Sequence, residues 1–199
     1  MTIKEALETA EIERLDAEIL LCHVLECSRE FLITENNREL TENQHEVLKE
    51  LYKRRSDNEP VAYITGTKEF YGHQFVVTPH VLIPRPATEG LVDLALDFVK
   101  SGTREVRDID TDVIAIAVPI GDAKEAQAIL DVGTGSGCIA IIMKKQLPEL
   151  EVFGTDISEE AVAIAERNAE LSVVKINNSK GSLLDAAKNI DVPFIIVSN

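Results

Sequence analysis

The stretch "ILDVGTGSGC", Ile129–Cys138, decides the fold. Ile129, Leu130 and Val132 read as a buried strand. Gly133, Gly135 and Gly137 follow at alternate positions, and "GCIAIIMKKQL" then reads as a helix stopped by Pro148. A glycine triplet alone is a weak signal; a strand before it and a helix after it give it weight. Alternate glycines let the backbone turn sharply and let a ligand touch main-chain atoms. Downstream the pattern repeats. "EVFGTD" reads as a second strand, "SEEAVAIAERNAEL" as a helix capped by Ser158, "SVVKIN" as a third strand and "VPFIIVSN" as a fourth. Strands separated by helices imply a parallel sheet with right-handed crossovers.

Dinucleotide folds use a G-x-G-x-x-G spacing in which a helix N-terminus meets a pyrophosphate. Here the spacing is G-x-G-x-G with Asp131 just before it, an acid badly placed for a pyrophosphate and well placed for a cationic or hydroxyl-rich ligand. Asp156 ends the next strand, where a carboxylate can accept both hydroxyls of a ribose. Both acids fall at the carboxyl ends of adjacent strands, where open parallel sheets bind ligands. S-adenosylmethionine meets these demands: a ribose for Asp156, an ammonium group for Asp131 and the loop Gly133, Thr134, Gly135, Ser136 and Gly137, and no pyrophosphate. Two plainer readings stand beside this one: Asp131 bonding the loop's own N–H groups, and Asp156 capping the helix after "IS". "KGSLLDA", Lys180–Ala186, reads as a loop closing over the adenine, with Ser182 near its amino group and Leu183 against the ring; a polar loop with two buried leucines fits the same residues.

Upstream, residues 1 to about 55 read as short helices. Leu15, Ile19, Cys22 and Leu25 fall on one face at helical spacing. Ser28 is a candidate cap for "REFLI", and Thr41 with Gln44 three residues later spells a capping box. "EFYGHQFVVTPHVLIPRPATEGL", Glu69–Leu91, comes next, a proline-rich stretch with aliphatic and aromatic residues that ask for burial. "TEGLVDLALDFVKSG" reads as a helix with Leu91, Leu94, Ala95 and Phe98 on its face and Gly102 closing it. "DVIAIAVPIG" reads as a strand, Ile114, Ile116 and Val118 alternating with alanines, ended by Pro119 and Gly121; its partner is not legible.

The 199 residues carry a net charge of −15, which argues against a broad grip on nucleic acid, and the densest basic cluster, Lys53–Arg55, reads as a solvated helix end. Cys22, Cys27 and Cys138 have neither disulfide nor zinc spacing and read as reduced thiols; no metal site is expected. An acidic N-terminus and the lack of a long apolar run lead to the expectation of a cytoplasmic protein without a membrane partner.

"EFYG", "VTPHVLIPRPATE", "ILDVGTGSGCIAI", "GTDIS" and "IVSN" resemble, in order, the motifs of the protein-(glutamine-N5) methyltransferases that modify peptide chain release factors. The resemblance implies an α/β protein. A helical substrate-recognition domain would span 1–58, a β-hairpin linker 59–86, and a Rossmann-like class I methyltransferase parallel sheet 87–199. It implies that Phe70, Tyr71, Val76, Val77 and Ile83 are buried in an interdomain seam, and that Ile83–Pro86 lines the cleft near the cofactor, with Arg85 either orienting an acidic neighbour as a substrate-binding residue or making a surface ion pair. It further implies that Asn199 is catalytic: its side-chain oxygen would accept an N–H of the substrate glutamine amide beside the cofactor. Ala87 stands where the family commonly has an acid, leaving Thr88 and Glu89. The family's motif is Asn-Pro-Pro-Tyr, and the sequence stops at its first residue. The resemblance therefore leads to the expectation of an incomplete sheet, weak turnover, and an edge on "FIIVSN" that stands uncovered and open to self-association unless the strand near Ile116 covers it.

Other readings use the same residues. An adenine-specific DNA methyltransferase shares the motif logic but conflicts with the acidity. A non-catalytic module that holds the cofactor or a release factor fits the shortened motif. A nucleotide-dependent dehydrogenase is disfavoured by the glycine spacing.

Overall fold

A computed structural model describes residues 1–101, 116–120 (backbone only), 126–188 and 190–198. The chain forms two compact units, Met1–Gly66 and Thr67–Asn199. Ile114, Gly102 and Gly121, to which the sequence reading gave roles, lie outside the described residues.

The first unit is helical: α1 (Ile3–Glu8), α2 (Arg14–Leu25), α3 (Arg29–Thr34), α4 (Glu42–Ser56) and α5 (Val61–Thr65). Two reciprocal capping boxes start α1 and α4, Thr2 with Glu5 and the expected Thr41 with Gln44, each satisfying two backbone donors that a helix start leaves open. Ser28 precedes α3 but its side chain makes no cap bond. The face expected for α2 is buried only at its later positions, where Cys22 and Leu25 pack against the helical core. Leu15 is 50% exposed and Ile19 37%, while Ala17, Leu20 and Leu21 are buried. "LDAEILLCHVL" carries two apolar stripes, and periodicity alone cannot choose between them. The stripe containing the small Ala17 is the one that packs inward, and Asp16 beside it pairs with Arg55 of α4 at 2.6 Å.

The second unit opens with a hairpin, β1 (Thr67–Phe70) and β2 (His73–Val76), joined through Tyr71 and Gly72. Both turn residues have positive φ, 52° and 74°, the two-residue hairpin geometry whose twist suits the strands. A tyrosine there is unusual; Tyr71 is tied by its N–H to Glu89 Oε1 (2.8 Å) and by its hydroxyl to Asp93 Oδ1 (2.7 Å). Phe70 and Phe75 are buried edge-to-face, 6.1 Å apart, in one apolar core with Leu91 and Val92 of α6 (Ala87–Ser101) and Ile142 of α7 (Cys138–Gln146). The hairpin aromatics thus belong to the core of the second unit. Val77 is buried with them, whereas Tyr71, Val76 and Ile83 are half-buried.

The main sheet has the order β3-β7-β4-β5-β6, from β3 (Ile116–Ile120), β4 (Ala128–Val132), β5 (Glu151–Asp156), β6 (Asn177–Lys180) and β7 (Phe194–Ser198). β7, β4, β5 and β6 run parallel, with α8 (Glu159–Leu171) and α9 (Leu183–Ala187) in the crossovers. β3 is the cover that the sequence left open as an alternative: it pairs antiparallel along all of β7, Ile116 opposite Ser198 and Ile120 opposite Phe194. The edge of β7 expected to stand open is therefore paired. Pro119 does not end β3 but lies within it, as an outermost strand allows.

The third strand differs from its expected position. β6 is "NNSK", and "SVV" belongs to the helix exit. The N–H groups of Ser172, Val173 and Val174 bond back to Asn168, Glu170 and Ala169, so a strand can begin only beyond them. Val173 is 91% exposed and has a φ of 55°. Among the described residues, no helix is long and apolar enough to cross a membrane.

Candidate functional site

β4 delivers the chain into the loop Gly133–Gly137. The N–H groups of Gly133 and Thr134 donate to the Thr155 carbonyl of β5, at 2.8 and 2.9 Å. The Gly137 N–H closes the loop on the Thr134 carbonyl (2.8 Å), and the Gly135 N–H donates to Asp156 Oδ2 (3.0 Å). Gly137 has a φ of 78°, and a Cβ there would stand 3.1 Å from that of Ala165 on α8. Glycine is needed for both reasons, since a side chain would be strained and would push the loop off the helix. Thr134 and Ser136 are buried.

Asp131, on β4 just below the loop, is 1% exposed. Its Oδ2 accepts from the Thr134 hydroxyl (2.8 Å) and from the Ala140 N–H in the first turn of α7 (3.3 Å). Among the described residues, its Oδ1 has no donor. Burial pushes the Asp131 carboxyl up to about 6; the bonds from Thr134 and Ala140 oppose the rise and Asp156 adds to it. One oxygen thus secures the loop and the other is left for an incoming donor.

Asp156 ends β5 and bridges two elements: Oδ2 holds the Gly135 N–H and Oδ1 accepts from the Ser158 N–H (3.0 Å) at the entry to α8. Ser158 in turn accepts from the Ala161 N–H at 3.1 Å. A carboxylate offers about four acceptor positions, so further donors remain possible. The turn after β6 joins the same place, with the Gly181 N–H on the Asp156 carbonyl (2.9 Å) and the Thr155 hydroxyl on the Gly181 carbonyl (3.0 Å). The residues beyond this turn form a short helix rather than a free loop. Ser182 opens α9, its hydroxyl donating to Asp185 Oδ2 (2.8 Å), and that bond helps hold the Asp185 carboxyl below its ordinary range. Leu183, the first residue of α9, is 38% exposed.

The Ser198 hydroxyl donates to the Val132 carbonyl (3.0 Å), bringing the end of β7 to the start of the loop. Asn199 comes next in the chain and lies outside the described residues. Arg85 is exposed in the turn that opens α6, its carbonyl accepting from the Thr88 N–H (2.9 Å); among the described residues it makes no hydrogen bond or ion pair to the loop. The sequence reading passed over Asn168, whose amide donates to the Ser136 carbonyl at 2.8 Å. The signal was a polar residue on the otherwise apolar stripe of Ala161, Ala165 and Ala169. Cys138 is buried, which pushes its thiol up to about 12, and it carries no charge for chemistry.

Two family models match the chain: the PrmC N-terminal domain over residues 2–66 and the methyltransferase small domain over residues 103–199. The chain is 39% identical, over its full length, to a release factor glutamine methyltransferase of Koribacter versatilis, 66% of whose length it covers. It is 41% identical to a bifunctional methyltransferase of Rickettsia typhi, over 79% of the chain and 30% of that protein. The chain therefore spans just under two thirds of the first relative's length and under a third of the second's. The structure of the N-terminal domain of human METTL16 with SAH is more distant, at a TM-score of 0.42 and 14% identity over 83% of this chain and 58% of that one, too loose to carry an argument.

Proposed function

We propose, from the premise that the chain belongs to the release factor glutamine methyltransferase family, that it binds S-adenosylmethionine on the Gly133–Gly137 loop and serves methyl transfer to a glutamine side-chain amide nitrogen of peptide chain release factors. The observation that carries this reading is the convergence of the loop, Asp131, Asp156 and the Gly181–Ser182 turn at the carboxyl ends of β4, β5 and β6. Asp131 Oδ1, buried and without a donor among the described residues, suits the cofactor's ammonium end. Asp156 retains acceptor positions for ribose hydroxyls. Ser182 and Leu183 stand at the adenine end.

Bound there, the cofactor supplies a sulfonium methyl that is already electrophilic. The protein's task is the acceptor, because an amide nitrogen delocalises its lone pair into its carbonyl. The Asn199 side-chain oxygen would accept one N–H of the substrate amide, orienting the nitrogen for transfer and favouring the charge that develops on it until the amide proton is lost to water. Arg85 contributes to substrate binding by orienting an acidic neighbour. The helical unit recognises the release factor: it carries no glycine loop, and two grooves line its surface, one of them between Ile12, Leu48 and Tyr52. Incubation with methyl-labelled S-adenosylmethionine and a release factor tests the proposal. Label on the release factor glutamine supports it; cofactor binding without labelled product, in the presence of a competent acceptor, leaves a binding module instead.

A further inference from the structure

Asn168 is 1% exposed in the last turn of α8, and its carboxamide faces the outer edge of β2. In a two-residue hairpin closed by Phe70 and His73, backbone bonds are exchanged on alternate pairs. Thr67 and Val76 then form a non-bonded pair, with the N–H and C=O of Val76 turned away from β1. Asn168 takes both, as a neighbouring strand would. Its Oδ1 accepts from the Val76 N–H at 2.8 Å and its Nδ2 donates to the Val76 carbonyl at 2.9 Å. The second Nδ2 hydrogen goes to the Ser136 carbonyl at 2.8 Å. One side chain thus holds the exit of the hairpin and the glycine loop together, on the helix face whose Ala165 receives Gly137.

We propose that Asn168 is a positioning residue that couples the glycine loop to the segment running from Val77 to Arg85, so that the ligand-binding backbone and the chain leading into α6 keep one fixed spacing. Both attachments are to backbone atoms, which a substitution in the loop or in the hairpin would leave in place. The coupling stands on the contacts alone, whereas its consequence for binding rests on the cofactor reading above.

The test compares Asn168→Ala and Asn168→Asp with Tyr71→Phe, a change at the far end of the same hairpin, all in the full chain. Hydrogen exchange is read without ligand, and affinity for S-adenosylhomocysteine by calorimetry. Asn168→Ala should speed exchange at Val76 and at Gly135–Gly137 together and weaken affinity by about tenfold or more, the effect of leaving several buried backbone groups unpaired. Asn168→Asp, nearly the same shape, keeps the acceptor for the Val76 N–H and loses at least one donated bond, so it should loosen the loop and weaken affinity as well. Tyr71→Phe should speed exchange only near the turn and leave affinity unchanged. Wild-type loop exchange in a folded Asn168→Ala overturns the coupling, as does a uniform rise across the whole sheet; wild-type affinity beside faster loop exchange overturns its consequence for binding. If Asn168→Ala does not fold, Asn168→Asp is read with the same outcomes. If the wild type itself binds no S-adenosylhomocysteine, the cofactor reading falls, and the exchange pattern still decides the coupling.

Discussion

The Gly135 N–H donates to Asp156 Oδ2 across 3.0 Å, so the loop after β4 is latched to the carboxylate that ends β5. Asp156 therefore has two jobs, shaping the loop and receiving the ligand, and the same carboxylate also holds the Ser158 N–H at the entry to α8.

The loop's shape should depend most sharply on Gly137. With a φ of 78° and Ala165 Cβ 3.1 Å from where a Cβ would stand, Gly137→Ala combines backbone strain with crowding. A loss of about 1–3 kcal/mol is expected. Denaturant unfolding with a circular dichroism readout measures it, and unchanged stability would mean that the loop can shift off α8 without cost.

Asp131 should titrate far from an ordinary carboxylate. Its folded value of about 6 lies above the reference 3.8, chiefly through burial. A raised carboxyl favours folding when protonated, so its contribution is complete below the unfolded value and is lost as pH rises through about 6. The stability of the wild type relative to Asp131→Asn should therefore decline between pH 4 and 6. A flat difference across that range, or a carboxyl-carbon NMR titration near pH 4, would contradict the burial argument.

β7 should behave as an interior strand. β3 on one side and β4 on the other leave none of its backbone groups on an open edge. Amide exchange along Phe194–Ser198 should be slow at every residue. Fast exchange at alternate residues would show that the β3 pairing does not persist in solution.

Much of this was legible in the sequence. The path from β4 through the loop to α7 was clear because an apolar run, alternate glycines and a second apolar run allow little else. The Thr41 and Ser158 caps were equally plain, because capping is local chemistry. Readings failed where tertiary context decided. α2 is apolar on two stripes, and only packing selects Ala17 over Leu15. β6 is polar, "NNSK", and exposed along much of its length, so neither alternation nor an apolar run announces it. The pairing of β3 with β7 joins segments about 80 residues apart, which no local pattern encodes. Asn168 bonds Val76 across 92 positions and was invisible for the same reason.

The two units should be functionally separable. Removing residues 1–66, the helical unit, should leave S-adenosylhomocysteine affinity unchanged and weaken release factor binding, as read by calorimetry and by pull-down. Loss of cofactor affinity in a remainder whose circular dichroism shows it folded would place part of the ligand site on the helices.

The central claim is that the latched loop and Asp156 hold S-adenosylmethionine, and titration calorimetry of the wild type beside Asp156→Ala tests it most directly. The wild type should bind one equivalent. The variant, deprived of a charged acceptor and of the loop's latch, should lose about 1.5–3 kcal/mol, roughly ten- to a hundredfold in affinity. Equal affinities would remove Asp156 from the site, and a wild type that binds nothing would contradict the account as a whole.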